Sequence, residues 1–246
     1  MMRTQANLDP KATDYIERLR QRNTTVKNHY SRLRTFFKKH KINITDMLEP
    51  DQIPRSRDRI PEAYTAEQIS KMWAVATPEE KIRLQFFCVS GFRKKEVAHL
   101  RWTDFDMNTG LVTVQAKEGW EPKDKESRSV VLPDYMVSAL KKRRAARPND
   151  VIVFPSATGI VADKNQMLYM LKAVAKRAGV GGRVDLHKFR STYASYLNKS
   201  GKVTTEEIAG RLGHASVSTT RAYLERMNQG TDRAKLQSNE ALAAFA

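Results

Sequence analysis

The sequence predicts a mainly α protein with one small antiparallel sheet, an α+β fold in two parts. Three observations carry this. Apolar residues recur at helical spacing through most of the chain. Only "LVTVQA" and "SRSVVLP" form a pair of β-rich runs. One charged stretch, "EPDQIPRSRDRIPEAY", holds three prolines and divides the chain.

The elements follow in order. Residues 10–20 and 24–41 read as helices. The second places Val26, Tyr30, Leu33 and Phe37 on one face and Lys27, Arg32, Arg34 and Lys38 on the other. A helical domain over 1–50 and a linker over 51–62 result. The larger domain, 63–228, opens at "TAEQ", a capping-box pattern that starts a helix running to about Ala76. "PEEKIRLQFFCVSG" starts with proline, ends at Gly91 and puts Ile82, Phe86 and Val89 on one stripe, which predicts a buried helix. "LVTVQA" and "SRSVVLP" flank a polar connection and predict a long-looped hairpin. A basic helix over 134–147 precedes a short strand, "VIVF". A helix over 164–178 shows Met167, Leu171, Val174 and Ala178 on one side, and further helices cover 187–199, 204–212 and 217–227. The tail 229–246 reads as a last helix.

Composition limits the function. Forty-four Lys and Arg against 27 Asp and Glu give +17, and the isoelectric point is near 10. The basic residues run along the whole chain, as in "RLRTFFKKHK", "KKRRAAR" and "KAVAKRAGVGGR", so a folded basic surface for nucleic acid is expected. No run approaches the ~20 apolar residues that span a bilayer, and the first residues lack a secretory apolar region. Cys88 is the only cysteine, which excludes an internal disulfide and a thiolate metal cluster. The expected compartment is the cytoplasm, with the nucleoid.

Several short motifs carry chemistry. "HKFR" sets His187 and Arg190 three apart, on one face of a helix. In "SGFRKKEVAHLRW", Arg93 lies just past the Ser-Gly end of a helix, where its planar fork suits two phosphate oxygens; a plain ion pair with Glu96 is the competing reading. Lys123 falls in the hairpin connection, with Lys117 and Lys125 as rivals. "RLGHASVSTTRAYLER" places His214 after Gly213 and Tyr223 nine positions later. Taken singly, His214 reads as a loop residue and Tyr223 as an ordinary half-buried tyrosine.

Taken in order, Arg93, Lys123, His187, Arg190, His214 and Tyr223 form a set that resembles the tyrosine recombinases, the phage integrase family. "GFRKKEVAHLRWTDFD" resembles the first-arginine box, "PKDKESRSVVLP" the β-hairpin lysine box, and "HKFRSTYASYL" and "RLGHASVSTTRAYL" the second-arginine and nucleophile boxes. Lys123 precedes Arg128 by five residues, near the family's usual spacing. The resemblance implies the tyrosine recombinase catalytic fold, preceded by a short helical domain. It also implies site-specific recombination of double-stranded DNA through a 3′-phosphotyrosyl intermediate, in a tetramer on DNA. Tyr223 would be the nucleophile, Arg93 and Arg190 the phosphate clamp and Lys123 the general acid. His187 would be base or relay, and His214 a phosphate hydrogen bond. No cofactor or metal is implied. Tyr193 and Tyr196, on the Arg190 helix, are expected to be packing residues. The tail "NEALAAFA" would dock on a neighbouring protomer.

Two features depart from the family pattern. Ser191 stands where relatives often carry a second histidine. The first domain resembles only the last part of the family's helical core-binding domain, "YSRLRTFFKKHKI" matching its final helix; a truncation, a degraded integrase and a natural minimal form are the readings of this, and it leaves DNA affinity and site choice open. A type IB topoisomerase-like nicking-closing enzyme and a catalytically silent DNA-binding relative are the alternatives.

Overall fold

The computed structural model describes residues 26–48, 53 and 62–229, except 157, 164 and 215. The chain divides into two compact units, Met1–Arg59 and Ile60–Ala246. The helix expected at 10–20, most of the linker and the tail helix lie outside the described residues.

In the first unit, α1 spans Val26–Lys39. Of its expected apolar face, Tyr30 is buried and Leu33 and Phe37 are half-buried. A 3-10 turn, Ile44–Met47, follows. Asn43 caps it by accepting from the Thr45 amide at 3.3 Å, and Ile44 is buried.

The second unit begins with the capping box. Thr65 Oγ1 accepts from the Gln68 amide at 3.1 Å, the Gln68 side chain accepts from the Thr65 amide at 3.2 Å, and α2 runs Ala66–Val75. Helix α3, Pro78–Ser90, repeats the device with Thr77 and Glu80 and stops at Gly91, whose φ of +64° is the left-handed cap that glycine adopts without strain. The predicted stripe is only partly right. Phe86 is buried, but so are Leu84 and Phe87, while Ile82 and Val89 are half-buried. The helix packs on more than one face because the helices Asp134–Ala146, Gln166–Arg177 and His187–Ser200 all meet it or its core. A short α4, Lys94–Ala98, follows at once.

The sheet has three antiparallel strands in the order β1 (Phe105–Asp106), β2 (Leu111–Val114) and β3 (Arg128–Val131). The expected hairpin is β2–β3, paired Leu111 with Val131 through Val114 with Arg128. Strand β1 is too short to carry a periodic signal. "VIVF" is not a strand: Ile152 makes one isolated bridge to Arg101, because the partner segment turns into a 3-10 helix at Trp102–Asp104. Val153 and Phe154 are nonetheless fully buried.

Four helices complete the unit besides α5, Asp134–Ala146: α6 (Gln166–Arg177), α7 (His187–Ser200), α8 (Thr205–Leu212) and α9 (Val217–Gln229). The face expected on α6 holds, with Met167, Leu171 and Val174 buried and Ala178 half-buried. The main core contains Leu84, Phe86, Phe87, Leu140, Phe154, Leu171 and Phe189. A second, smaller cluster of Tyr193, Ala194, Ile208, Leu212 and Leu224 joins α7, α8 and α9, and Tyr223 packs against it. Each large side chain so buried contributes roughly 1.5–3 kcal/mol. Tyr193 is thus the packing residue expected, whereas Tyr196 is exposed.

Gly91 ties these parts together. A Cβ there would stand 2.4 Å from Tyr193 Cδ1. Gly91→Ala is expected to destabilise the protein by about 1–3 kcal/mol, from the left-handed backbone and the overpacking together. Urea unfolding checks this, and an unchanged midpoint would contradict it.

Candidate active site

The arginines are placed by helix ends. The last carbonyls of a helix have no partner within it and carry the negative end of its dipole. Arg190, on α7 and almost completely buried, donates through Nη1 to the Gly91 carbonyl, 2.9 Å away at the end of α3, and through Nη2 to the Leu212 carbonyl at the end of α8. Arg93 Nη2 donates to the Gly213 carbonyl at 3.1 Å, and Arg128 Nε to the Arg211 carbonyl at 3.0 Å. Two helix C-termini therefore hold three guanidiniums. Burial first, then the nearby charges of Arg93 and Arg128, push Arg190 below its ordinary range to about 9, against the opposing pull of Glu96 and Tyr223.

Glu96 is the carboxylate at the centre. It is buried, accepts from the Arg93 amide at 2.7 Å and Arg93 Nη1 at 3.0 Å, and pairs with Arg128. Burial alone would raise its pKa; Arg128 and then Arg93 outweigh that and hold it low. Arg93 also makes an ion pair with Asp124 at 2.7 Å, without hydrogen-bond alignment. The Glu96 ion pair, one of the two readings of Arg93, is present, and the Arg93 side chain stays partly exposed beside it.

A cavity of about 500 Å³ is lined by Arg93, Lys123 and His187, with Phe92, Trp120 and Asp185 among its walls. The rival lysines are engaged elsewhere. Lys117 Nζ binds Asp104 and the His99 carbonyl beneath the ring of Trp120. Lys125 is exposed, 3.7 Å from Glu121. A larger apolar groove of about 580 Å³, lined by Trp73, Cys88, Tyr135 and Tyr196, contains none of the six candidates.

His187 opens α7, its amide donating to Asp185 Oδ1 at 2.9 Å. Loss of water around it, then Arg190, lower its pKa, with Asp185 opposing. The Gly213 turn has φ +64° and presents His214, whose Nδ1 lies 2.7 Å from Thr220 Oγ1. Burial and then Arg190 and Arg93 bring His214 down to about 4, with Asp124 opposing. The ring of Tyr223 stands edge-on to that of His214 at 6.4 Å. Tyr223 is not part of the cavity lining; its Oη is enclosed and has no partner in hydrogen-bond geometry. Burial raises its pKa, while the Ser191 hydroxyl and then Arg190 work the other way.

All six candidates thus belong to one connected cluster. Glu96, Arg128, Thr220 and Asp124 complete it. From sequence, Glu96 was named only as an ion-pair partner for Arg93 and Arg128 only as a spacing mark for Lys123; Thr220 and Asp124 were not singled out.

Fold and site define a class: a basic, mainly helical protein built round an arginine cluster suited to an oxyanion. Residues 62–229 match the Phage integrase family, and the chain belongs to it. It is a tyrosine-type site-specific recombinase. The tyrosine recombinase XerA of Thermococcus kodakarensis is 28% identical, over 78% of this chain and 68% of its own. XerC of Xanthomonas campestris is 29% identical over 69% of this chain, which spans 53% of that relative. The fold is shared with the Tn1549 transposon integrase in complex with a circular intermediate DNA (TM-score 0.72, 14% identity, 86% of this chain and 79% of that one). It is also shared with lambda integrase bound to DNA (TM-score 0.67, 14% identity, 89% and 81%).

The depressed His214 has a consequence for stability. Between about 4 and its ordinary 6.5, the folded chain binds fewer protons at this site than the unfolded chain does. Its contribution is complete above pH 6.5 and is lost as pH falls towards 4. Urea unfolding at pH 7 and pH 5 should show wild type losing more stability than His214→Gln; equal losses would mean that His214 is not held neutral.

Proposed function

We propose that the second unit cleaves and rejoins double-stranded DNA through Tyr223. The Tyr223 oxygen attacks the scissile phosphorus, the bond to the 5′-oxygen breaks, and a 3′-phosphotyrosyl link forms. The phenol proton passes to His187, as base or relay. Lys123 gives a proton to the departing 5′-oxygen. Reversal by another 5′-hydroxyl rejoins the strand, and the phosphotyrosyl conserves the bond energy. Arg93 and Arg190 clamp the non-bridging oxygens, where charge grows in the transition state, and His214 donates a hydrogen bond to one of them.

The observation that carries this reading is the convergence of Arg93, Lys123 and His187 on one cavity beside the Arg190–His214–Tyr223 cluster. Three details support the roles. Burial and then the arginines keep His187 and His214 neutral, so His187 has a lone pair free to accept a proton and His214 offers one N–H as a hydrogen-bond donor. The other hairpin lysines are occupied or exposed. The enclosed phenol has a raised pKa, so proton removal has to accompany attack. Duplex DNA is the partner that the +17 charge fits. Self-association into a tetramer, with the tail 229–246 on a neighbouring protomer and the first unit acting as a partial core-binding domain, belongs to the same reading, as does a place in the nucleoid.

On a nicked suicide substrate, wild type should give a protein–DNA band that survives SDS and disappears with protease, and Tyr223→Phe should bind the DNA and give none. A band from the Phe variant would remove Tyr223 from the role.

Lys123→Ala should slow cleavage, and a 5′-bridging sulfur, whose departure needs no proton, should restore the rate. Rescue of Lys117→Ala instead would move the general acid there.

Affinity should fall by roughly 10³–10⁵ between 50 and 200 mM salt if ~6–10 phosphates are contacted. A flat response would show that the basic surface is not a DNA-binding one.

A further inference from the structure

One buried polar side chain next to the nucleophile still has no role. Thr220 is completely buried, on α9, three residues before Tyr223. Its Oγ1 is 2.7 Å from His214 Nδ1. A buried helical threonine ordinarily turns its hydroxyl back to the carbonyl four residues earlier, as Thr192 does to Lys188 at 2.8 Å. Thr220 makes no such bond among the described residues; its hydroxyl faces the histidine instead.

The direction of that bond decides what His214 can do. A neutral imidazole has one N–H and one lone pair. Burial first, and then the facing charges of Arg190 and Arg93 against that of Asp124, leave the ring neutral; His187 faces it as well. A hydroxyl with no carbonyl to donate to donates to Nδ1, and the ring proton then resides on Nε2.

We propose that Thr220 is a positioning residue: its hydroxyl donates to His214 Nδ1, fixes the neutral Nε2–H tautomer, and ties the Gly213–His214 turn to the helix that carries Tyr223. The turn pivots on a glycine at φ +64°. Arginines hold its Arg211, Leu212 and Gly213 carbonyls, and the Thr220 bond reaches the His214 ring itself. With the tautomer set, His214 offers an N–H to a phosphate oxygen while adding no charge to a site already crowded with arginines. This consequence rests on the assignment of His214 as a phosphate donor; the Thr220–His214 bond itself does not.

The test uses the full chain labelled with ¹⁵N-histidine, without DNA, at pH 7. His214 is assigned by its loss in His214→Gln. Long-range ¹H–¹⁵N correlation should show a protonated Nε2 and an accepting Nδ1. Thr220→Val, which keeps the shape and loses the hydroxyl, should shift the ring to a mixture of tautomers, and Thr220→Ser should keep the wild-type pattern. On the suicide substrate at saturating DNA, Thr220→Val should slow adduct formation on the order of tenfold to a hundredfold, as for other hydrogen bonds that orient an imidazole. Binding should stay within a few-fold, and Thr220→Ser should restore the rate. A wild-type His214 protonated on Nδ1 would overturn the proposal whether or not Thr220→Val folds, and so would wild-type rate and tautomer in a folded Thr220→Val. If the tautomer depends on Thr220 as stated but wild type forms no adduct, Thr220 keeps its place and the phosphate role of His214 falls.

Discussion

The site depends on crowding three guanidiniums into a partly dry space without their repelling one another apart. Arg93 and Arg128 both act on the buried Arg190, and one buried carboxylate, Glu96, touches the first two. Apart from Asp124 on Arg93, the remaining compensation comes from backbone. The carbonyls of Gly91, Arg211, Leu212 and Gly213 are helix-terminal groups that would otherwise need water or caps, and each receives an arginine N–H. The bond serves both partners: the helices gain C-terminal caps with the sign their dipoles favour, and the arginines gain fixed directions. Arg128 adds a face-on contact with Phe92, 5.1 Å from the ring centre, and Gly213 leaves the space that its side chain fills.

This arrangement makes packing and electrostatics one problem. Arg190 sits in a run of buried residues, Lys188 to Ala194, so α7 presents its charged group from within the core and not from a surface. Its anchor at Gly91 is also the place where Tyr193 packs, and Tyr193 belongs to the cluster that holds Leu212 and Leu224. A change at α3 is therefore transmitted to the arginine and to the tyrosine helix through direct contacts. The hairpin enters separately, through Asp124 on Arg93 and through Lys117, which latches the loop to Asp104 and Trp120 and leaves Lys123 at the cavity.

What was legible in the sequence was what is local. Thr65–Gln68, Pro78 and Gly91 are helix start and stop signals that act over one turn, and the structure uses each of them. The order of the arginine, histidine and tyrosine motifs was readable because the residues themselves are distinctive. What could not be read depends on contacts remote in sequence. β1 exists only because β2 pairs with it, and "VIVF" failed as a strand because its partner turns away after one bridge. Carbonyl oxygens have no letter in a sequence, so the helix-end anchors were invisible. Thr220 looked like one of several hydroxyls in a Ser/Thr cluster, and only the return of the Gly213 turn gives it a partner.

The same crowding explains why the histidines suit the chemistry. Burial first, and then repulsion from these arginines, disfavour a charged imidazole, so His187 and His214 stay neutral near pH 7, the form the proposed roles need. Tyr223 experiences the opposite pull. Burial opposes ionising the phenol, while the Ser191 hydroxyl and then Arg190 favour it. In the role proposed for Tyr223, the phenolate is least favoured as a free species and most favoured when its charge passes to phosphorus, and the proposed clamp by Arg190 then acts on the transition state more than on the resting protein.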